Sequence, residues 1–284
     1  MEHIDPSRAV WDALSFGAPL QQSWSYGEVA RALGARVERY AVGPASDPEA
    51  VIQVIRRFGI GYASVGWHSR TASAAPAVRL PGLTLIAGPG GVPVSDGREV
   101  AVRTLDGDLR AGMAQKWRNR LNFAERAGLG VRRIVGCPQW LLEEEAEQRA
   151  ARRYKTLPAA WLRQMERSDP RAVRTYAAYV GPRPVAGVCI LRHSGRWTYH
   201  LGWTGPEGRK RSAHHLLIAR AMEDAMASGA MAFDLGLIDP ANQGLRRFKL
   251  GTGAAALTVP GMGLRVGLSG KARRRASVPA YREA

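Results

Sequence analysis

The stretch that decides the fold is VRTYAAYV-GPRP-VAGVCILRH-SGR-WTYHLGW, residues 173–203. Three runs rich in β-branched and aromatic residues, Val173–Val180, Val185–His193 and Trp197–Trp203, are separated by Gly181-Pro182-Arg183-Pro184 and Ser194-Gly195-Arg196. Links so short and so turn-prone join antiparallel neighbours, which predicts a three-stranded meander. Alternation along the third run places Tyr199 and Trp203 on one face and His200 on the other.

Working outward, the C-terminal side predicts a helix over Ser212–Ser228, with Leu216, Leu217, Ala219, Ala221, Met222 and Met226 apolar and Gly229 as its stop. A short strand over Met231–Leu235, a turn at Asp239–Asn242, and a segment Leu245–Leu250 leading into a last strand near Ala254–Val259 follow. On the N-terminal side, Trp140–Tyr154 has acids early and arginines late, as a helix dipole favours, and Ala159–Arg167 is a second helix ended by Ser168-Asp169-Pro170. From Leu109 to Ala127, residues Leu109, Met113, Trp117, Leu121 and Ala124 share one helical face, and Gly128 stands past the end. Earlier still, Trp24–Leu33 and Glu49–Phe58 are expected as helices, with strands at Gly59–Val65 and Leu83–Ala87. Gly88-Pro89-Gly90-Gly91 lacks the Gly-Lys-Ser/Thr ending of a triphosphate loop and is taken as a turn. The order of elements predicts an α+β fold with a mixed sheet. The division expected is 1–136, 137–262 and a basic tail over 263–284.

Composition narrows the function. Of the 284 residues 45% are hydrophobic and 23% charged, enough for a core and unlike a disordered chain. No apolar stretch reaches the ~18 residues of a membrane-spanning helix, and MEHIDPSRAVWD has no basic-then-apolar leader pattern. Cys137 and Cys189 have no metal-ligand spacing, so neither a zinc site nor a disulfide framework is expected, and a cytoplasmic setting fits. Forty-one Lys+Arg against 24 Asp+Glu give a net charge of +17, which suits polyanionic partners: RNA, nucleotide-linked substrates or an anionic membrane surface. Only five of the basic residues are lysine, and an arginine-, alanine- and glycine-rich chain is also what a GC-rich genome produces.

Three stretches resemble the FemABX family, peptidoglycan-bridge aminoacyltransferases built from acetyltransferase-like (GNAT-like) domains. The first is Gln21-Gln22-Ser23-Trp24-x-x-Gly27-Glu28-Val29. The second is Lys116-Trp117-Arg118-Asn119-x-Leu121-x-x-Ala124-x-x-Ala127-Gly128. The third joins Ala213-x-x-Leu216-Leu217, Ala221–Gly229, Phe233-Asp234-Leu235-Gly236 and Gly244-Leu245-x-x-Phe248-Lys249-x-Gly251. The resemblance implies two GNAT-like domains, each a mixed sheet flanked by helices, sharing a cleft. It implies transfer of an aminoacyl group from aminoacyl-tRNA, or of an acyl group from acyl-CoA, to an amine such as that of a cell-wall (peptidoglycan) precursor. No tightly bound cofactor and no metal are expected. A lysine the family often carries shortly after its opening Trp is replaced here by Ala30, followed by Arg31.

Acyl transfer to an amine needs a deprotonated nitrogen, a partner for the developing oxyanion, and alignment. No Ser-His-Asp or Cys-His order stands out, which favours direct attack by the amine. The resemblance makes the Phe248-Lys249 pair face the reacting ester, with Lys249 meeting the oxyanion; the alternative is a core phenylalanine beside a surface lysine. Asp234 is expected either to orient the amine or to satisfy backbone donors of a turn. Arg209-Lys210-Arg211-Ser212, with Arg247, are expected to hold the donor's phosphate, since a helix start favours anions. Ser212 and His214 stand where acetyltransferases place the glycines of a pyrophosphate loop. His214 and His215 are either proton acceptors or plain exposed helix-start residues. Trp24, Tyr26, Tyr199 and Trp203 are expected to contact the acceptor. A non-catalytic RNA-binding protein is the other class, though no stacking signature is visible.

Overall fold

The structure, a computed structural model, describes residues 7–44, 47–64, 68–69, 80–88 and 91–267. Chain order is α1 (Arg8–Leu14), a 3-10 turn at Leu20–Gln22, α2 (Trp24–Ala32), then β1 (Arg36–Val42), β2 (Ala50–Arg57), β3 (Ile60–Ala63), β4 (His68–Ser69), β5 (Gly82–Ala87), β6 (Val92–Pro93) and β7 (Arg98–Thr104). It continues through α3 (Gln115–Glu125), β8 (Gly130–Val135), α4 (Gln139–Arg152), α5 (Ala159–Ser168), β9 (Val173–Val180), β10 (Arg183–His193) and β11 (Arg196–Thr204). The last elements are α6 (Pro206–Lys210), α7 (Ala213–Ala227), β12 (Ala232–Ile238), α8 (Gln243–Gly251), β13 (Ala255–Val259) and β14 (Met262–Gly267).

Two mixed sheets result. The first runs β1-β2-β3-β5-β14-β6, with β4 beside β2; the second runs β13-β7-β12-β11-β10-β9-β8. In the first sheet β3 and β5 pair parallel, and in the second β11 and β12 do. The predicted meander is present as β9-β10-β11, antiparallel throughout. The expected α+β class and its paired mixed sheets with flanking helices are therefore what the chain adopts.

The expected boundary at 136 is not where the sheets divide. β7 and β8 precede it yet lie in the second sheet, and β14 returns to the first. The second unit is thus inserted between β6 and β14. Gly263–Gly267 belong to β14 rather than to a tail, because they pair residue for residue with Gly82–Ile86; residues 268–284 lie outside the described residues, as do Pro89 and Gly90 of the glycine-rich turn.

Two segments differ from their expected secondary structure. Residues 49–58, expected as a helix, form β2: Val51 packs with Trp11 and Ala41 on one face, while Ile52 and Val54 pack with Tyr40, Ala63 and Ile86 on the other. A strand buried on both faces reads as an unbroken apolar run, which periodicity cannot separate from a helix. Phe58 and Gly59, at φ of 50° and 80°, then form the two-residue turn into β3. Conversely, Leu245–Leu250 is helical within α8, whose start is set by Asn242, the side chain of which accepts from the Leu245 N–H at 3.0 Å.

The second sheet has a core on each face. α3 and α7 pack Trp117, Leu121, Leu217 and Met222 against Tyr176, Val188 and Ile190 on one side. α4 and α5 pack Leu141, Trp161, Leu162 and Met165 against Val173, Cys189 and Leu191 on the other. Leu20 and Val29 join this second core, so α2 of the first unit seals against α5. The thiols of Cys137 and Cys189, distant in sequence, are buried together in the same core and remain free.

Candidate active site

β11 and β12 lie side by side at the centre of the second sheet, but their ladder is short. Pairs form at Arg196–Ala232, Trp197–Phe233 and Thr198–Asp234 and then stop, although β11 continues to Thr204 and β12 to Ile238. Both strands are irregular where they part. Against β10, Tyr199 pairs with Ile190 and Leu201 with Cys189, leaving His200 as an extra residue. Against β7, Asp234 pairs with Val102 and Gly236 with Ala101, leaving Leu235 extra. Such bulges bend a strand and re-aim its side chains, and they concentrate next to active sites.

The bulge at His200 also overturns the expected alternation. Tyr199 faces α7, whereas Trp203 faces α4 and meets Trp140 edge-on at 6.2 Å. One inserted residue reverses the face of everything beyond it.

The space beside the parting strands holds a ring cluster. Phe248 lies 5.4 Å from His214, 5.0 Å from His215 and 6.0 Å from Trp117, and Trp117 lies 5.0 Å from His215. His214 is fixed at both nitrogens, Nδ1 to the Thr204 hydroxyl at 2.8 Å and Nε2 to the Tyr199 hydroxyl at 3.2 Å. Burial lowers His214 and His215 to a pKa of about 4, with repulsion that His215 and Arg120, respectively, would exert on the protonated ring adding to it. Both rings are neutral at pH 7. Burial raises the Tyr199 phenol, which stays protonated.

Lys249 follows Phe248 and turns inward toward β12. It is 6% exposed, and its Nζ donates to the Leu237 carbonyl at 2.6 Å. Burial lowers its pKa to about 8 against the opposing pull of Asp234. Gly236 faces this amine at φ 78°, a left-handed backbone that suits glycine.

Asp234 is already committed. Its Oδ2 pairs with Arg196 at 2.8 Å and its Oδ1 accepts from the Gly236 N–H at 2.7 Å. Of its two expected roles the structure shows the turn-satisfying one, extended by Arg196, which also reaches the Gly17 carbonyl.

α7 begins at this crevice. Ser212, its first flanking residue, is buried at φ 54° and ψ 32°. A serine thus adopts the left-handed backbone for which the pyrophosphate-loop glycine is ordinarily needed, and the first turn of α7 follows it, with the His215 N–H closing on the Ser212 carbonyl at 3.0 Å. Arg209 and Lys210 are exposed beside it, and Arg247 is exposed on α8. Arg211 is not available to a donor in the same way: its Nε donates to Glu207 at 2.7 Å and its Nη1 to the Ala127 carbonyl, tying α6 to the end of α3.

Trp24 and Tyr26 sit elsewhere. The Arg39 guanidinium lies 3.4 Å over the Trp24 ring, and Tyr26 packs on Trp161 at 5.3 Å in the seam between α2 and α5. The four residues expected to contact the acceptor are therefore not brought together. Trp117 and the two bulges are parts of the site that sequence reasoning did not assign to it. Trp117 was legible on its helix face, whereas nothing in the letters marks a bulge at His200.

Residues 111–256 match the family described as an acetyltransferase (GNAT) domain, a segment that spans both bulged strands, α7 and Lys249. The chain belongs to this GNAT family. It is an acyltransferase, and the non-catalytic alternative falls away. The two-sheet GNAT architecture is similar to the crystal structure of FemX, with a TM-score of 0.70 at 13% identity over 93% of this chain and 96% of that one. It is also similar to the C-terminal domain of a putative lysylphosphatidylglycerol synthetase from Agrobacterium fabrum (TM-score 0.52, 12% identity, 92% of each chain). A tandem GNAT protein from the clavulanic acid biosynthesis pathway aligns at a TM-score of 0.52 and 12% identity, over 91% of this chain and 94% of that one. No curated protein matches the sequence. Among the described residues no helix is long and apolar enough to cross a membrane, and no group of three or more His, Cys, Asp or Glu side chains is placed to hold a metal.

Proposed function

We propose that this GNAT protein transfers an aminoacyl or acyl group to an amine by direct attack, in the opening between β11 and β12. The observation that carries the reading is the buried Lys249 ammonium beside that opening, flanked by Phe248 and by two strands that stop pairing there. An ammonium held in a partly dry site stabilises a nascent oxyanion far better than one in water. The attacking nitrogen forms the new C–N bond and gives up a proton. The bond from the carbonyl carbon to the donor's ester oxygen or thioester sulfur breaks with its electron pair, and the leaving oxygen or sulfur ends with the proton that the nitrogen loses. The donor's phosphate is held at the start of α7 by first-turn N–H groups, with Arg209 and Lys210 adding charge.

Aminoacyl-tRNA is the first choice of donor. The net charge of +17 and the bulk of His214 in place of a loop glycine support it. Acyl-CoA is the second reading, favoured by one observation: the left-handed backbone at Ser212 retains a turn able to wrap a pyrophosphate. The acceptor is an amine such as that of a peptidoglycan precursor. Calorimetric titration with a hydrolysis-resistant aminoacyl-adenosine analogue and with CoA separates the donors. Binding of the former alone selects aminoacyl-tRNA, binding of CoA alone selects acyl-CoA, and binding of neither sinks the transferase site.

A further inference from the structure

The second sheet carries a cavity on the face opposite α7, beneath α4 and α5, of about 270 Å³. That is the size for a small molecule or the end of a larger one. Its apolar walls include Leu142, Leu157, Leu162 and Leu201, and its polar lining includes Glu145 and His200 together with Arg149 and Arg163.

Glu145 is buried, its side chain only 2% exposed. Its Oε1 accepts from the Tyr154 hydroxyl at 2.9 Å, while its Oε2 has Arg149 Nη1 at 3.8 Å, beyond hydrogen-bond reach. The cavity's other guanidinium, Arg163, is spent on the Cys137 carbonyl, Glu166 and Gln139. A carboxylate buried with so little compensation is costly unless a cation or donor completes its shell. His200 adds an independent sign of a missing partner: its Nε2 is buried with no hydrogen-bond partner. Burial holds that ring at a pKa of about 4, so at pH 7 it is neutral and able to accept a hydrogen bond.

We infer that this cavity binds the cationic primary-amine end of a small molecule, its N–H groups donating to Glu145 and His200 and its apolar stem lying along the leucines. This binding is independent of the transferase reading, whose attacking amine lies on the Lys249 side. The position fits: His200 is the bulged residue of β11, two residues past the last pair with β12, while its neighbour Tyr199 faces the α7 side. One strand irregularity thus presents the amine pocket on one face and the ring cluster beside Lys249 on the other.

The test is isothermal titration of the full chain with isoamylamine and with its uncharged counterpart 3-methylbutan-1-ol. The amine is expected to bind at least tenfold more tightly than the alcohol. Glu145→Gln should erase most of that preference, and Leu157→Trp, which fills the cavity from its half-buried wall, should abolish binding of both while CoA and aminoacyl-adenosine titrations stay unchanged. Equal affinity for amine and alcohol, or undiminished amine binding by Leu157→Trp, overturns the inference. If isoamylamine binds as described while neither donor analogue binds, the cavity stands and the transferase reading fails.

Discussion

Lys249 sits in a balance that can be measured. Burial lowers its pKa to about 8, so a rate that depends on the ammonium should fall as pH rises through about 8. Lys249→Arg keeps a cation of much higher pKa and should move that descending limb beyond the accessible range, at reduced rate. A rate that climbs through pH 8 in the wild type would instead make the free amine the working form. Lys249→Met should lower turnover at least a hundredfold, of the order seen when one oxyanion donor is removed. It leaves the Leu237 carbonyl without its donor, at about 1–3 kcal/mol, but also removes a buried charge, so its melting temperature should stay close to wild type. Lys249→Ala additionally empties the buried stem and should melt lower, which makes Met the cleaner probe; wild-type turnover in K249M removes the lysine from the chemistry. At this scale the sequence was informative about residue type and less so about direction. Lys249 stood out as a rare lysine beside Phe248 and Gly251, but whether it faced water depended on α8, and α8 was hidden because Leu245–Leu250 read only as a segment leading into the last strand. Arg211 shows the converse: its charge was legible, and its commitment to Glu207 and Ala127 was set by where α3 ends.

Among the elements, the α6–α7 turn makes the sharpest prediction. Ser212 holds a left-handed backbone that costs a non-glycine residue on the order of 1 kcal/mol. Ser212→Gly should leave stability within about 1 kcal/mol, because relief of strain is offset by a freer unfolded chain. It should leave donor affinity intact. Ser212→Val, β-branched at positive φ, should destabilise by about 1–3 kcal/mol and weaken donor binding in calorimetry; unaltered binding would remove the turn from the donor site. The elements around this turn were mostly legible. The meander appeared from its Gly-Pro and Ser-Gly-Arg links, and α7 from its apolar spacing and Gly229 stop. Those that failed did so for one physical reason. Period reports burial, so β2, apolar on both faces, imitated a helix, and α8, short and polar, imitated a loop. The short β11–β12 ladder was not legible at all, since strand parting is decided by what packs between the strands.

For the molecule as a whole, the two units respond to acid through different groups. Four histidines of the second unit, His193, His200, His214 and His215, have pKa values lowered to about 3, 4, 4 and 4, chiefly by burial. A histidine so depressed binds fewer protons folded than unfolded, so its contribution is full above the unfolded value near 6.5 and is lost as pH falls toward 4. In the first unit, Glu38 is pushed up by burial but held below the ordinary carboxylate range by Tyr40 and Arg56, and Glu28 is likewise lowered by Arg39 and Arg31. Their contribution is present above about 4.5 and is lost only below it. Acidification should therefore loosen the second unit first, although it is the one inserted between β6 and β14 and sealed to α2 by Trp161. Between pH 6.5 and 4.5, near-ultraviolet dichroism and amide exchange should show β9–β12 and α7 opening while β1–β3 remain protected. The seam sets how separately this happens. Trp161→Ala, at about 3–5 kcal/mol for a large aromatic lost from a core, should split one calorimetric transition into two at pH 6. A single transition that shifts uniformly in W161A, or first-sheet exchange that leads on acidification, would show that the two sheets unfold as one and that the histidines do not set the order.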